Sequence, residues 1–198
     1  MRCLVVFCHP SETSFGAAIL ETARDALSEA GHDVRVIDLY REGFDPVLSP
    51  DEWSSYVNDT GKNIEALQDH VAALQWAESL VLIFPTWMYG PPAMLKGWLE
   101  RVWLPGVAFE IPRGRQKRVV GLFSNIRRFT VVTTSGSPWW WLWVIRDPCR
   151  NLFSRGFRVL FHRRCRVRWL QLHGMDHSSD KQRKAFLNRI SNELAAPA

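Results

Sequence analysis

The chain has 198 residues, 46% of them apolar and 23% charged, which excludes a disordered chain, a collagen and a coiled coil and fits one globular domain. Its formal charge of +5 hides an asymmetry: residues 1–100 hold 6 basic and 15 acidic residues (net −9), and residues 101–198 hold 19 basic and 5 acidic (net +14). A uniformly basic nucleic-acid binder is not built this way, and no nucleic-acid partner is expected. Cys3–Cys8 (CLVVFC) is a continuous apolar run, the mark of a strand covered on both faces. After the polar loop His9–Ser14, Phe15–Ala30 has apolar residues at helical spacing, and Gly31 stops it. Val34–Leu39 reads as a second strand, Gly43–Gly61 as a long loop and Lys62–Trp76 as a helix. Ser79–Phe84 (SLVLIF) is a third buried strand. Pro91-Pro92 opens a helix to about Trp103. Phe129–Thr134 is a fourth strand, 143–156 a helix, Val167–Leu172 a fifth strand and Asp180–Leu194 a closing helix.

Strands and helices alternating in this way predict an α/β fold, a doubly wound parallel sheet with helices on both faces. For five strands the common order is 2-1-3-4-5, with the ligand outside the carboxyl ends of the strands near the switch point. The loops after strands 1, 3 and 4 should then form the site: His9–Ser14, Pro85–Pro91 and Ser135–Trp141. Cys3, Cys8, Cys149 and Cys165 form no C-x-x-C pair and suit neither a zinc site nor a dense disulfide framework. His162, His173 and His177 lack ligand spacing, so no metal is expected. The apolar start Leu4–Cys8 is too short for a cleavable signal, and no run approaches the roughly 20 residues of a spanning helix. A reduced cytoplasmic protein is the expectation.

Each loop carries two readings. His9–Ser14 brings three hydroxyls to a helix N-terminus, where free N–H groups and the helix dipole favour a phosphate; plain helix capping by Thr13 or Ser14 is the other reading. Pro85–Pro92 (PTWMYGPP) makes a rigid aromatic wall, either for a flat ring or for a dimer partner. Thr133–Ser137 (TTSGS) has the small residues that let backbone approach a ligand.

The segment Phe84–Trp103 (FPTWMYGPPAMLKGWLERVW) resembles the flavodoxin-like NAD(P)H:quinone oxidoreductase family, which includes the ancillary flavoproteins of bacterial potassium-efflux systems. HPSETSF (His9–Phe15) is similar to that family's flavin-phosphate loop, and VTTSGS (Val132–Ser137) to its T-T-G-G loop. The resemblance implies a single flavodoxin-like domain over 1–198. It implies a flavin cofactor, FMN or FAD, with its phosphate and ribityl chain on His9, Ser14, Phe15 and Gly16. Pro85, Thr86, Trp87, Met88 and Tyr89 would pack on the ring, and Thr134, Ser135, Gly136 and Ser137 would close its far side. It also implies two-electron hydride transfer from NAD(P)H through flavin N5 to a quinone in a ping-pong cycle, and a homodimer. Tyr89 has two readings, a side chain over the ring that hydrogen-bonds the acceptor oxygen or a purely packing residue. Two alternatives are a regulatory flavoprotein subunit of a membrane transporter and a one-electron flavodoxin carrier. The carrier is disfavoured because its T-x-T-G-x-T phosphate loop is missing. This chain departs from the family at Ser135-Gly136, where Gly-Gly is usual, and through 138–175.

Two segments stay open. Pro138–Ile145 (PWWWLWVI) reads as the lip of an acceptor pocket, a dimer interface or a membrane-interface anchor; Arg146–Arg168, with eight arginines and one Asp, reads as a solvated face or a surface attachment, peripheral at the inner membrane. Arg113–Arg128, with six basic residues and no acidic one, either attracts NADPH phosphates or is an exposed loop.

Overall fold

The computed structural model describes residues 1–112 and 118–196. Part of the basic run expected over Arg113–Arg128 therefore lies outside the described residues. Five parallel strands form the main sheet: β1 (Arg2–Phe7), β2 (Asp33–Asp38), β3 (Ser79–Pro85), β6 (Arg128–Ser135) and β7 (Arg166–His173), in the order β2-β1-β3-β6-β7. Taken in sequence these are the five expected strands in the expected order 2-1-3-4-5. A two-stranded hairpin, β4 (Phe109–Glu110) with β5 (Val120–Gly121), stands apart from them and was not anticipated.

The runs of the central strands β1 and β3 are apolar almost throughout because both faces are covered. Cys3, Val5 and Phe7 meet α1 (Phe15–Glu29) and α8 (Asp180–Ala195) through Ile19, Ala23, Phe186 and Ile190. Leu4, Val6 and Cys8 face the other side, with α4 (Gln68–Trp76) and α5 (Ala93–Val102) supplying Leu74, Leu95 and Trp98. The exposed faces of the edge strands carry charge, at Arg35 on β2 and at Arg166 and Arg168 on β7, which discourages edge pairing.

Three expectations are corrected. The Gly43–Gly61 loop contains α2 (Pro50–Ser55), started by a capping box in which Ser49 accepts from Glu52 N–H and Glu52 accepts from Ser49 N–H. The Lys62–Trp76 helix is two helices, α3 (Thr60–Ala66) and α4, broken at Leu67 where φ is −123°. The 143–156 helix starts earlier, as α6 (Trp139–Val144), and stops at the left-handed pair Arg146 and Asp147. Pro148 disfavours α geometry at Asp147. The chain then resumes as α7 (Pro148–Asn151), followed by a wide π turn over Leu152–Gly156 and a 3-10 turn over Phe157–Leu160. Among the described residues no helix is long and apolar enough to cross a membrane.

Candidate functional site

At the carboxyl ends of β1, β3 and β6 lies a cavity of about 290 Å³. Its wall includes His9, Phe15, Gly16, Pro85, Thr86, Trp87, Thr134, Ser135 and Gly136, so residues from all three expected loops meet in one place. Four of the expected residues lie outside that wall. Ser14 is the N-cap of α1: its hydroxyl accepts from Ala17 N–H (3.1 Å) and donates to Ser11 O (2.8 Å). Met88 and Tyr89 sit on the rim, 95% and 41% exposed. Ser137 uses its carbonyl to accept from Ser135 Oγ (3.2 Å) and Gly174 N–H (3.2 Å).

The first loop is organised for an anion. His9 Nδ1 folds back on its own loop, 3.0 Å from Ser11 N and 3.2 Å from Ser11 O, which fixes the ring at the mouth of the helix. Ser14 caps α1, yet the N–H groups of Phe15 and Gly16 find no acceptor among the described residues. Those two donors and the positive end of a 15-residue helix are free to meet a phosphate. Gly16 keeps that end open: a Cβ there would stand 3.3 Å from Ser14 Oγ and 3.4 Å from His9 Cδ2.

The second loop is a tight two-residue hairpin. Trp87 and Gly90 exchange both backbone hydrogen bonds (3.0 and 2.9 Å), and Met88 and Tyr89 between them have φ of 47° and 60°. This is a type I′ turn built without the usual Asn or Gly. Its base is anchored to β6 by Thr86 N–H donating to Thr134 O (2.7 Å) and by Thr86 Oγ1 with Thr133 Oγ1 (2.9 Å). Its tip is anchored to α6: Trp141 Nε1 donates to Tyr89 Oη at 3.0 Å. The phenolic hydrogen of Tyr89 remains available to another acceptor.

The third loop absorbs its departure from Gly-Gly inward. Ser135 is 4% exposed, and its hydroxyl accepts from Gln171 Nε2 (3.1 Å), whose Oε1 accepts from Trp169 Nε1 (2.7 Å). At Gly136 a Cβ would come within 2.6 Å of Asp176 Oδ2, so a side chain there would displace the Asp176 carboxylate from the wall. Met175 and Asp176, from the turn after β7, complete the wall and were missed. The signal was available: that turn leaves the same pole of the sheet as the other three loops.

Thiol chemistry is not offered here. Burial pushes Cys8 and Cys149 up to about 12, so both stay protonated at neutral pH. Among the described residues no group of three or more His, Cys, Asp and Glu side chains gathers to hold a metal ion. The free donors at α1, the glycine cradle and the aromatic wall fit a phosphorylated flat-ring cofactor such as a flavin.

The flavodoxin-like fold family, Flavodoxin_2, matches residues 1–192. Among solved structures, the NAD(P)H:quinone oxidoreductase from Methanothermobacter marburgensis superposes with a TM-score of 0.83 at 29% identity, covering 98% of each chain. The NAD(P)H dehydrogenase [quinone] 1 of Cavia porcellus is 32% identical over 152 residues, 69% of this chain and 54% of its own length. The ribosyldihydronicotinamide dehydrogenase [quinone] of Mus musculus is 27% identical over 98% of this chain and 90% of its own. The chain spans little more than half the length of several curated relatives it matches, between 54% and 58%. The family match nonetheless runs through all five sheet strands and every wall of the cavity, and the chain belongs to the flavodoxin-like fold family, among relatives that bear the names of NAD(P)H:quinone oxidoreductases.

Proposed function

We propose that the protein is a flavin-dependent oxidoreductase that carries two electrons from NAD(P)H to a quinone or a similar flat acceptor. One observation carries this reading: a single cavity at the switch point joins the unpaired N–H groups of an α1 N-terminus to an aromatic wall. Two relatives' names support the pair of NAD(P)H and quinone, and a third supports the quinone. Bound in the cavity, the flavin, FMN or FAD, supplies hydride chemistry that none of the side chains there possesses.

The residues then have distinct tasks. Phe15 and Gly16 N–H would hold the phosphate, with the His9 ring beside them. Trp87 and Pro85 flank the ring and keep water off it. The Thr86–Thr134 and Thr86–Thr133 hydrogen bonds fix that wall to β6, so that reactants stack in a set geometry; most of the rate comes from this positioning. Tyr89 accepts from Trp141 and donates its own proton to the acceptor oxygen at the rim. Tyr89→Phe should lower kcat for quinone reduction by about tenfold or more. Its KM for NAD(P)H should stay within a factor of about two.

The test is the visible spectrum of the purified protein, mass spectrometry of the released cofactor, and NAD(P)H oxidation with a benzoquinone as acceptor. A yellow protein that reduces the quinone with either nicotinamide supports the reading. A colourless protein that takes up neither FMN nor FAD overturns it.

A further inference from the structure

A second and larger depression, of about 970 Å³, lies beside the cavity, between α6, α7 and β7. The two adjoin, since Ser135 in the cavity wall is the register partner of His173 in the depression wall. Arg146, Arg150 and Arg155 line the depression together with Trp139, Trp143 and His173. All three arginines are solvent-exposed, and none forms a salt bridge among the described residues. The one carboxylate in the wall, Asp147, caps α7 by accepting from Arg150 N–H at 3.0 Å. Three guanidinium groups against one carboxylate leave positive charge uncompensated. The Nδ1 atom of His173 is buried there without a hydrogen-bond partner.

Arg146 is held in this wall at a conformational cost. α6 ends with Arg146 N–H on Trp143 O (3.1 Å) and Asp147 N–H on Leu142 O (2.7 Å), and φ at Arg146 is 60°. Glycine usually supplies the left-handed residue of such a helix end. Here arginine occupies it, and Asp147 follows at φ 36°. Strain of this kind persists only where the surrounding structure over-determines it, and it clusters at functional sites.

We propose that this depression binds the adenylate end of NADPH. Arg146, Arg150 and Arg155 take the 2′-phosphate, and a Trp139 or Trp143 ring stacks on the adenine. This assignment rests on NAD(P)H being the reductant. Guanidinium forks match the oxygens of a phosphate monoester, which carries more than one negative charge at neutral pH. Indole faces stack on bases of any identity. NADH lacks the 2′-phosphate and would leave the three cations unpaired, so the depression selects NADPH. A lipid headgroup offers the same phosphate chemistry, but a flat bilayer cannot enter a concavity as a single nucleotide can.

The experiment titrates the purified protein with 2′,5′-ADP and with 5′-ADP, followed by calorimetry and tryptophan fluorescence. We expect 2′,5′-ADP to bind at least about tenfold more tightly, and Arg150→Gln or Arg155→Gln to erase most of that preference. The ratio of kcat/KM for NADPH over NADH should fall by a similar factor. Arg146→Gly should raise Tm while weakening 2′,5′-ADP, a pairing that a merely structural arginine would not give. Equal or absent binding of the two nucleotides overturns the proposal, as do arginine variants that keep the preference. So does attachment to phosphatidylglycerol vesicles, lost in the same variants, with no nucleotide bound. A chain that takes no flavin yet prefers 2′,5′-ADP would sink the proposed function and leave this site standing. A working quinone reductase indifferent to the 2′-phosphate would sink this site alone.

Discussion

Gly97 shows what the most family-specific stretch of the sequence does. It lies in the L-K-G-W segment, far from the cavity wall, and a Cβ on it would stand 2.1 Å from Pro46 O and 2.5 Å from Pro46 Cα. The obstruction is backbone, so no side-chain rotation relieves it. Its neighbours Leu95 and Trp98 are fully buried. The segment that reveals the family therefore seats the 42–49 loop on α5, and only its beginning touches the site, with Phe84, Pro85, Thr86 and Trp87 in the wall and Tyr89 at the rim. Overpacking of this kind costs up to about 3 kcal/mol, and the gain in helix propensity returns no more than about 1. Gly97→Ala should destabilise by about 2 kcal/mol in urea unfolding. Met88 gives the opposite sign. At φ 47° and 95% exposure it bears left-handed strain and buries nothing. Glycine would remove a penalty of about 1–2 kcal/mol and add an entropy cost of about 0.5–1. Met88→Gly should raise Tm by about 2 °C in a thermal melt.

Between α4 and α5 the decisive contact is Trp98 Nε1 donating to His70 Nδ1 at 3.2 Å. Glu42 stands 3.8 Å from the other ring nitrogen, close enough for an ion pair if the ring were charged. It is not charged at neutral pH: burial holds His70 below the usual histidine range, and Nδ1 must stay unprotonated to accept. The unfolded chain, with histidine near about 6.5, binds more protons than the native one across that range, so this contribution to stability is present above about pH 6.5 and lost as pH falls. Burial depresses His173 in the same direction. Tm should drop between pH 7.5 and 5, and His70→Gln, whose Oε1 can still accept from Trp98, should flatten part of that drop. An unchanged profile in the variant would place the titration elsewhere. Elements of this core were legible in the sequence because the central strands β1 and β3 are apolar runs and the long helices keep a 3.6 period. The 139–160 stretch was not, because periodicity cannot register a left-handed pair such as Arg146 and Asp147, which Pro148 and the tertiary packing impose together. Asp176 was missed for a different reason: it belongs to the loop after the fifth strand, away from the switch point that the strand order singles out.

The strand order also turns the charge asymmetry into a direction. β2, β1 and β3 come from the acidic first hundred residues, net −9, and β6 and β7 from the basic remainder, net +14. The cavity lies across the β1, β3 and β6 ends, on the seam between them, and the arginine-lined depression adjoins it on the basic side. An anionic dinucleotide approaching the seam is drawn toward the half that holds the arginines and repelled by the other, which orients it before contact. Such a field reaches about 30 Å at 0.01 M ionic strength and about 8 Å at 0.15 M. Steering of this kind is commonly worth a factor of ten or more in association rate. The second-order rate of reduction by NADPH in stopped flow should therefore fall by roughly tenfold between those ionic strengths. NADH, with less negative charge, should show a shallower slope. Replacing Arg150 and Arg155 by Gln removes only two of the 19 basic residues of that half, so the steering component should survive in the double variant while contact affinity for the 2′-phosphate does not. A rate insensitive to salt would show that the field does not guide the reductant, and that the +14 half acts only through the side chains that touch it.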